Sequence, residues 1–327
     1  MSHGESEETH TMRTLSRRLS QALLAGTLVV AVGMAAGVPA AAAAVSVDLC
    51  VASGTVSLPG GASAPIWGFG LGSGGSCAGA TPTLPGPVID VNEGDTVSVT
   101  VHNGLAEAVG LEIPGIAIHE GSVTAAPGGV QTYTFTAASP GTYLYQSPAN
   151  AGRQLAMGLY GAMVVRSATP GRAYDSATTA YDTEAVLVLS ALDPVFNADP
   201  DTADMYAYHA TYWLINGKAY PDTDVIHAAG AGTRVLLRYL NAGYDNTTMA
   251  LLGMHERVLA RDAHLLGNPF DADAETVPAG ATEDAIATIP ASGNEFALFN
   301  RQLHLTNGAP GNPAYNPGGM VTFIRVP

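Results

Sequence analysis

The strongest constraint on the fold is an alternation of apolar and polar side chains in short runs. Residues 96–103 (TVSVTVHN) carry valine at every second position, and residues 131–136 (QTYTFT) repeat the pattern with aromatic residues. Successive side chains of a strand point to opposite faces, so the alternation predicts strands with one buried face. Turn residues separate such runs by roughly ten positions, which predicts an all-β protein of antiparallel sandwiches.

The strand-like runs fall into two sets. A segment at 168–180, which contains Pro170-Gly171, separates them. The chain of 327 residues is long enough for two ordinary domains. We therefore expect one domain at 45–167, a linker at 168–180 and a second domain at 181–327.

Residues 1–44 are predicted to be an N-terminal extension followed by a secretory signal peptide. Arg13, Arg17 and Arg18 precede an apolar stretch of small residues, and an alanine-rich segment follows that stretch. This order is typical of a cleaved export signal and not of a membrane anchor. We expect a secreted, extracellular protein that has no membrane association after cleavage.

Cys50 and Cys77 are the two cysteines of the chain. An even pair in an exported protein predicts a disulfide, which would hold the irregular segment between the two positions. The alternative is a copper-binding thiolate. Such a ligand needs histidines at ligand spacing, and neither cysteine has a histidine within ten residues.

The chain is strongly acidic, with 28 acidic and 13 basic residues and a formal net charge of −15. Such a surface offers little to neutralise phosphates, so we expect no nucleic-acid partner and no anionic membrane. The aspartate-rich segment 197–205 is predicted to be a solvated loop, with a calcium site as the alternative.

Several motifs occur in an order that resembles the multicopper oxidase family. The resemblance covers most of the chain after residue 44 and is carried by PGPVI (85–89), EGDTVSV (93–99), GTYLYQSP (141–148), GLYGAMVV (158–165), LINGK (214–218) and RVLLRYLNAG (234–243). It implies two tandem cupredoxin-like Greek-key β-sandwich domains, the first of them plastocyanin-like.

The resemblance also implies where copper ligands would lie, because the family holds its oxygen-reducing copper cluster with His-x-His pairs. The first pair would fall at 111–115, which reads LEIPG, and the second at 146–148, which reads QSP. The chain ends without the family's His-Cys-His motif, since 298–308 reads LFNRQLHLTNG. We therefore expect no resident cofactor, and copper is the alternative.

The candidate site residues lie around these degraded positions. Glu112, His119, Tyr145 and Gln146 are predicted to be vestigial copper-site or pocket residues, with no residue assigned a catalytic role. The histidines beyond residue 44 are scattered, and the closest two are nine positions apart, so no strand or helix offers a local pair. They are His102, His119, His209, His227, His255, His264 and His304.

Two functions follow from these residues. The favoured one is a secreted binding, scaffold or assembly module that forms a homo-oligomer or engages a partner protein. The alternative is an enzyme. One form is an oxidase completed by a partner chain. The other is a metal-free catalyst that binds a small organic ligand in the vacated copper cavity, which Glu112, Tyr145 and Gln146 would line. An apolar cavity would favour that catalyst, and a cavity filled by side chains would exclude it.

Overall fold

The computed structural model of the protein describes residues 42–118 and 123–327. In this part of the chain nearly all regular structure is β-strand. The short helices are α1 (Arg153–Met157), α2 (Pro194–Ala198) and the 3-10 turns Asn150–Gly152, Ala177–Thr179 and Met205–Ala207. The predicted all-β class is confirmed. The predicted signal peptide and His119 lie outside the described residues.

The first sandwich comprises the described strands from residue 44 to residue 166. Its four-stranded sheet has the order β2-β1-β4-β7, its three-stranded sheet has the order β3-β9-β8, and β5 pairs with β6. The strands are β1 (Ala44–Leu58), β2 (Ala62–Leu71), β3 (Gly86–Asn92), β4 (Thr96–Asn103), β5 (Val109–Gly110), β6 (Thr124–Ala125), β7 (Val130–Thr136), β8 (Gly141–Gln146) and β9 (Tyr160–Arg166).

The alternation in β4 places its side chains as predicted. Val97, Val99 and Val101 are fully buried in the core that the two larger sheets enclose. On the opposite face the hydroxyl of Thr100 hydrogen-bonds that of Thr132 on β7, with 3.0 Å between the oxygens. Strands β4 and β7 therefore pair in the register that keeps the valines inside, because a slip of one residue would expose them.

The second sandwich comprises the strands from residue 183 to residue 325. One sheet has the order β11-β10-β13-β18-β15-β16 and the other β12-β20-β19-β14-β17. The strands are β10 (Thr183–Leu192), β11 (Tyr212–Ile215), β12 (Ile226–His227), β13 (Arg234–Asn241), β14 (Thr247–Leu251), β15 (Glu256–Arg261), β16 (His264–Ala272), β17 (Ala274–Val277), β18 (Thr282–Thr288), β19 (Glu295–Asn300) and β20 (Val321–Arg325).

The two sandwiches pack on each other along β8, β13 and β18. Leu144 on β8 joins a buried apolar cluster with Leu240 on β13. Beside it the Thr142 hydroxyl donates to Asp284 Oδ1 at 2.6 Å and accepts from Arg238 Nη1 at 3.0 Å. Both faces of β13 are thus covered, which explains why every residue of this strand after Arg234 is buried. The domain boundaries at 167 and 181 stay a prediction.

The disulfide between Cys50 and Cys77 is formed, as predicted. It links β1 to the loop that follows β2, across a sequence separation of 27 residues. In the aspartate-rich segment the carboxylates serve local turns: Asp199 accepts from the Thr202 hydroxyl, and Asp204 accepts from the backbone N–H of Tyr206. No described helix is long and apolar enough to cross a membrane.

Candidate functional site

Gln146 and Glu112, two of the predicted site residues, are brought together at the end of β8. Their backbones exchange a pair of hydrogen bonds, with N···O distances of 2.8 and 3.0 Å, so the two side chains stand side by side. The Gln146 carboxamide then donates from Nε2 to Glu112 Oε1 at 2.7 Å. Its own oxygen, Oε1, is buried and accepts no hydrogen bond from the described residues. We call this arrangement the Gln146–Glu112 pair.

Tyr145 is directed away from this pair, into the core. Its ring is fully buried and packs edge-on against Phe69, with 5.5 Å between centroids. Its hydroxyl donates to the carbonyl oxygen of Pro87 at 2.7 Å, and burial raises the pKa of Tyr145 far above its usual value. The side chain is therefore a satisfied core residue.

The cavity beside Glu112 is small and shallow. It has a volume of about 330 Å³ and is lined by residues 112–118, without Tyr145 or Gln146. The structure thus brings Glu112 and Gln146 into contact but does not gather Glu112, Tyr145 and Gln146 around one cavity. A metal-free catalyst built on these three side chains has no common pocket to work in.

The residues at the family's copper positions do not fit a copper cluster. Pro114 and Pro148 offer no side-chain ligand atom. In the Gln146–Glu112 pair, the amide of Gln146 donates a hydrogen bond to the carboxylate of Glu112. Copper favours imidazole and thiolate ligands. Among the residues that the structure describes, no group of three or more histidines, cysteines, aspartates or glutamates is placed to hold a metal ion.

The described histidines are dispersed over the molecule and mostly engaged with local partners. His102 Nε2 lies 2.9 Å from Asp48 Oδ1, His255 Nδ1 lies 2.5 Å from Asp273 Oδ1, and His264 Nδ1 lies 2.6 Å from the carbonyl oxygen of Asp262. His227 is exposed on β12.

His209 and His304 line the same cavity. This cavity, which we call the aromatic pocket, has a volume of about 430 Å³. It is lined by Ala191, Met205, Tyr208, His209, Ala210, Trp213, Tyr244, Asp245 and His304. The sequence did not reveal this pocket, because its lining residues come from four separate segments and form no motif.

Two buried glutamates of the second sandwich carry perturbed acidities. Burial, opposed by a hydrogen bond from the Tyr239 hydroxyl, raises the pKa of Glu256 to about 7. Burial and the neighbouring Glu275 raise the pKa of Glu283 to about 8, although Arg261 Nε donates to it at 3.0 Å. Perturbed carboxylates often mark active sites. Here both side chains are at most 1% exposed, so no substrate reaches them.

A larger groove, of about 810 Å³, runs past the turn between β14 and β15. Met254 and His255 are among its lining residues. Its rim carries an ion pair between Arg257 and Asp271, with 3.0 Å between Nη1 and Oδ1, and a contact between His255 and Asp273.

Comparison with known proteins agrees with the motifs. The family model described as multicopper oxidase matches residues 72–170. Copper resistance protein A of Pseudomonas syringae pv. tomato is 25% identical over 291 residues, which is 72% of this chain and 46% of that protein. The multicopper oxidase MmcO of Mycobacterium tuberculosis is 26% identical over 286 residues, 72% of this chain and 54% of that protein. The chain spans about half the length of these relatives.

Solved structures share the fold at low identity. The blue copper oxidase of Nitrosomonas europaea superposes with a TM-score of 0.74 at 22% identity, over 87% of this chain and 86% of that one. The copper nitrite reductase of the same organism gives 0.66 at 20% identity, over 87% and 94%. One fold thus serves two reactions, and the likeness is evidence of architecture alone. The predicted cupredoxin-like fold is confirmed, and residues 72–170 carry the match to the multicopper oxidase family.

Proposed function

We propose that this protein is a multicopper-oxidase-like cupredoxin protein that has lost its copper ligands and serves as an exported binding, scaffold or assembly module. The observation that carries the proposal is the Gln146–Glu112 pair. Two positions where the family would place imidazoles hold side chains that bind each other, with 2.7 Å between Nε2 and Oε1.

The chemistry of the pair supports loss of copper rather than replacement of its ligands. A carboxamide is a weak copper ligand, and Glu112 already accepts a hydrogen bond from it. The two remaining positions are prolines. A copper ion at this place would have to break the pair, and neither Pro114 nor Pro148 would supply a side-chain ligand in exchange.

Export is the second part of the proposal. The disulfide between Cys50 and Cys77 supports it, because such bonds persist in oxidising compartments and are rare in the cytosol. The basic, apolar and alanine-rich order of residues 12–44 supports it as well. Detection of the mature chain in the extracellular or periplasmic fraction, cleaved before about residue 45, would test this part.

Copper binding is the decisive test, because the relatives are named as copper resistance proteins and oxidases. The full chain is loaded with copper, passed over a desalting column with a competing chelator, and measured for copper per chain and for oxygen consumption with a reducing substrate. We expect no copper retained in stoichiometric amount and no oxygen consumption. One or more coppers per chain that withstand the chelator, and that do not depend on exposed histidines, would overturn the proposal.

A double variant, His255→Ala with His264→Ala, controls for exposed imidazoles. Copper that wild type holds and this variant loses is surface copper, and the proposal stands. Copper held equally by both forms, with oxygen consumption, belongs to an internal site and contradicts it.

A second candidate function is an oxidase completed by a different chain. The observation that favours it is that the relatives this chain matches are named as a copper resistance protein and a multicopper oxidase. Purification of the tagged protein from its own host distinguishes the two. A copurifying chain that carries a His-Cys-His motif, together with copper in the complex, supports the second candidate, and a copper-free homo-oligomer or monomer supports the first.

A further inference from the structure

The walls of the aromatic pocket are ring surfaces. Tyr208 and Tyr244 meet edge to face, with 5.4 Å between centroids and 75° between planes. Trp213 and His304 stack in parallel, with 4.4 Å between centroids and 9° between planes. These four residues are half-buried or exposed, so the rings border a cavity that solvent can enter.

The tyrosine hydroxyls of the pocket are already used for structure. The Tyr208 hydroxyl donates to the carbonyl oxygen of Ala191 at 2.9 Å, and the Tyr244 hydroxyl donates to that of Gly152 at 2.5 Å. Their protons are therefore not offered to a ligand. What the two side chains present is the electron-rich aromatic surface, held in place by these bonds.

The charge of the pocket is negative. Asp245 supplies the single carboxylate of its lining, and no lysine or arginine lies among the described lining residues. The Asp245 carboxylate makes no hydrogen bond or ion pair with any described residue. Burial lowers the pKa of His304, partly offset by Asp245, so this imidazole is neutral near pH 7 and adds no positive charge.

An organic cation is the ligand that satisfies both features. Aromatic faces attract a cation through the ring quadrupole, most strongly for tryptophan, and an unpaired carboxylate supplies the opposite charge. A hard metal cation would need several oxygen ligands, and the pocket offers one carboxylate. The net charge of −15 also draws cations toward the molecule.

We propose that the aromatic pocket binds an organic cation of the quaternary ammonium class, with Tyr208, Trp213 and Tyr244 around the alkylated nitrogen and Asp245 as its counter-charge. The volume of about 430 Å³ suits a small ligand of this kind. The inference goes beyond the proposed function and does not depend on loss of copper, because the Gln146–Glu112 pair contributes nothing to the pocket.

Choline and its neutral isostere 3,3-dimethyl-1-butanol are the probes that test the charge. The two have the same shape, so calorimetric titration of the full chain isolates the contribution of the positive nitrogen. We expect saturable binding of choline, and binding of the alcohol weaker by about tenfold, which corresponds to about 1.4 kcal/mol. Equal binding of both probes, or no saturable binding of choline at millimolar concentration, would overturn the proposal.

Matched variants test the residues. Asp245→Asn and Tyr244→Leu should each weaken choline binding by about tenfold. Tyr244→Phe keeps the ring and loses only the hydroxyl's bond to Gly152, so it should weaken binding less than Tyr244→Leu does. Asp222→Asn, at an exposed position outside the pocket, controls for the loss of one negative charge. Thermal melts of each variant check folding. Choline affinity that is unchanged in folded Asp245→Asn protein contradicts the assignment.

Discussion

At the scale of single residues, Glu256 and Glu283 are the least expected side chains of the structure. Each has one buried carboxylate oxygen, Oε1, with no hydrogen-bond partner among the described residues. Glu256 receives a hydrogen bond from Tyr239, and Glu283 one from Arg261, while Glu275 adds a further negative charge nearby. The three glutamates Glu256, Glu275 and Glu283 thus face a single arginine, Arg261. The excess negative charge is relieved when the buried glutamates are protonated.

This excess predicts that stability falls as pH rises from about 5 to about 8. The folded protein holds protons on Glu256 and Glu283 up to pKa values of about 7 and about 8, whereas an unfolded glutamate loses its proton near 4.3. Within that window the folded state binds more protons, so the free energy of unfolding decreases by about 1.4 kcal/mol per pH unit for each such group.

Glu256→Gln and Glu283→Gln should each flatten this dependence, because an amide does not titrate. Urea unfolding at pH 5, 6, 7 and 8 measures it, and Glu295→Gln, at an exposed residue paired with Arg325, is the control. The series begins at pH 5 because a second group acts below that value. Hydrogen bonds from the backbone of Ala43 and Asn92 lower the pKa of Asp95, so Asp95 contributes stability that is lost as pH falls. Parallel curves for wild type and both variants would show that the two glutamates ionise normally.

At the scale of secondary-structure elements, β4 tests the alternation from which the fold was predicted. Val99 is fully buried between the sheets, while Ser98 on the other face bonds Thr134 across the exposed surface. Val99→Ala should therefore lower the free energy of unfolding by about 2–3 kcal/mol, and Ser98→Ala by less than about 1 kcal/mol. Chemical denaturation measures the free energy of unfolding of both variants. Similar losses of stability in the two would mean that β4 does not lie in this register.

The disulfide is an element of the first sandwich that fixes a loop to β1. Removing it with the double substitution Cys50→Ser and Cys77→Ser should lower the free energy of unfolding by about 3–4 kcal/mol. This is the loop-closure entropy expected for a segment of this length. The measurement is the denaturation midpoint of the double variant against wild type, with reduced wild type as the second reference. A loss below about 1 kcal/mol would indicate that the loop is held by other contacts.

The sequence predicted these elements well because strands and an isolated cysteine pair are local properties. Alternation along β4 is visible within eight residues. The Gln146–Glu112 pair was predicted only as two candidates, since its members are 34 positions apart and meet through strand pairing. The aromatic pocket and the buried glutamates were not predicted at all. Their chemistry arises from which segments the fold brings together, and no single segment carries a signal of it.

At the scale of the whole molecule, one buried arginine lies at the joint between the two sandwiches. Arg238 is fully buried and lies 2.9 Å from Glu184 Oε2 and 3.7 Å from Asp284 Oδ2, while its bond to Thr142 crosses to the first sandwich. Removing one partner of a buried ion pair leaves an uncompensated charge and lowers the free energy of unfolding by about 3–5 kcal/mol. Exposed pairs contribute at most about 1 kcal/mol.

Arg238→Met should therefore destabilise the protein by about 3–5 kcal/mol and uncouple the sandwiches. One tryptophan lies in each sandwich, Trp67 on β2 and Trp213 on β11, and Trp67 also packs beside Phe196 of the second sandwich. In Trp213→Phe and Trp67→Phe backgrounds, fluorescence should show coincident urea transitions with Arg238 present and separated transitions with Arg238→Met. Arg325→Met, which breaks a half-exposed pair with Glu295, is the control. The contrary outcome is that Arg238→Met shows coincident transitions, shifted no further than in that control. The apolar contacts around Leu144 and Leu240, which remain in every variant, would then hold the joint without the arginine.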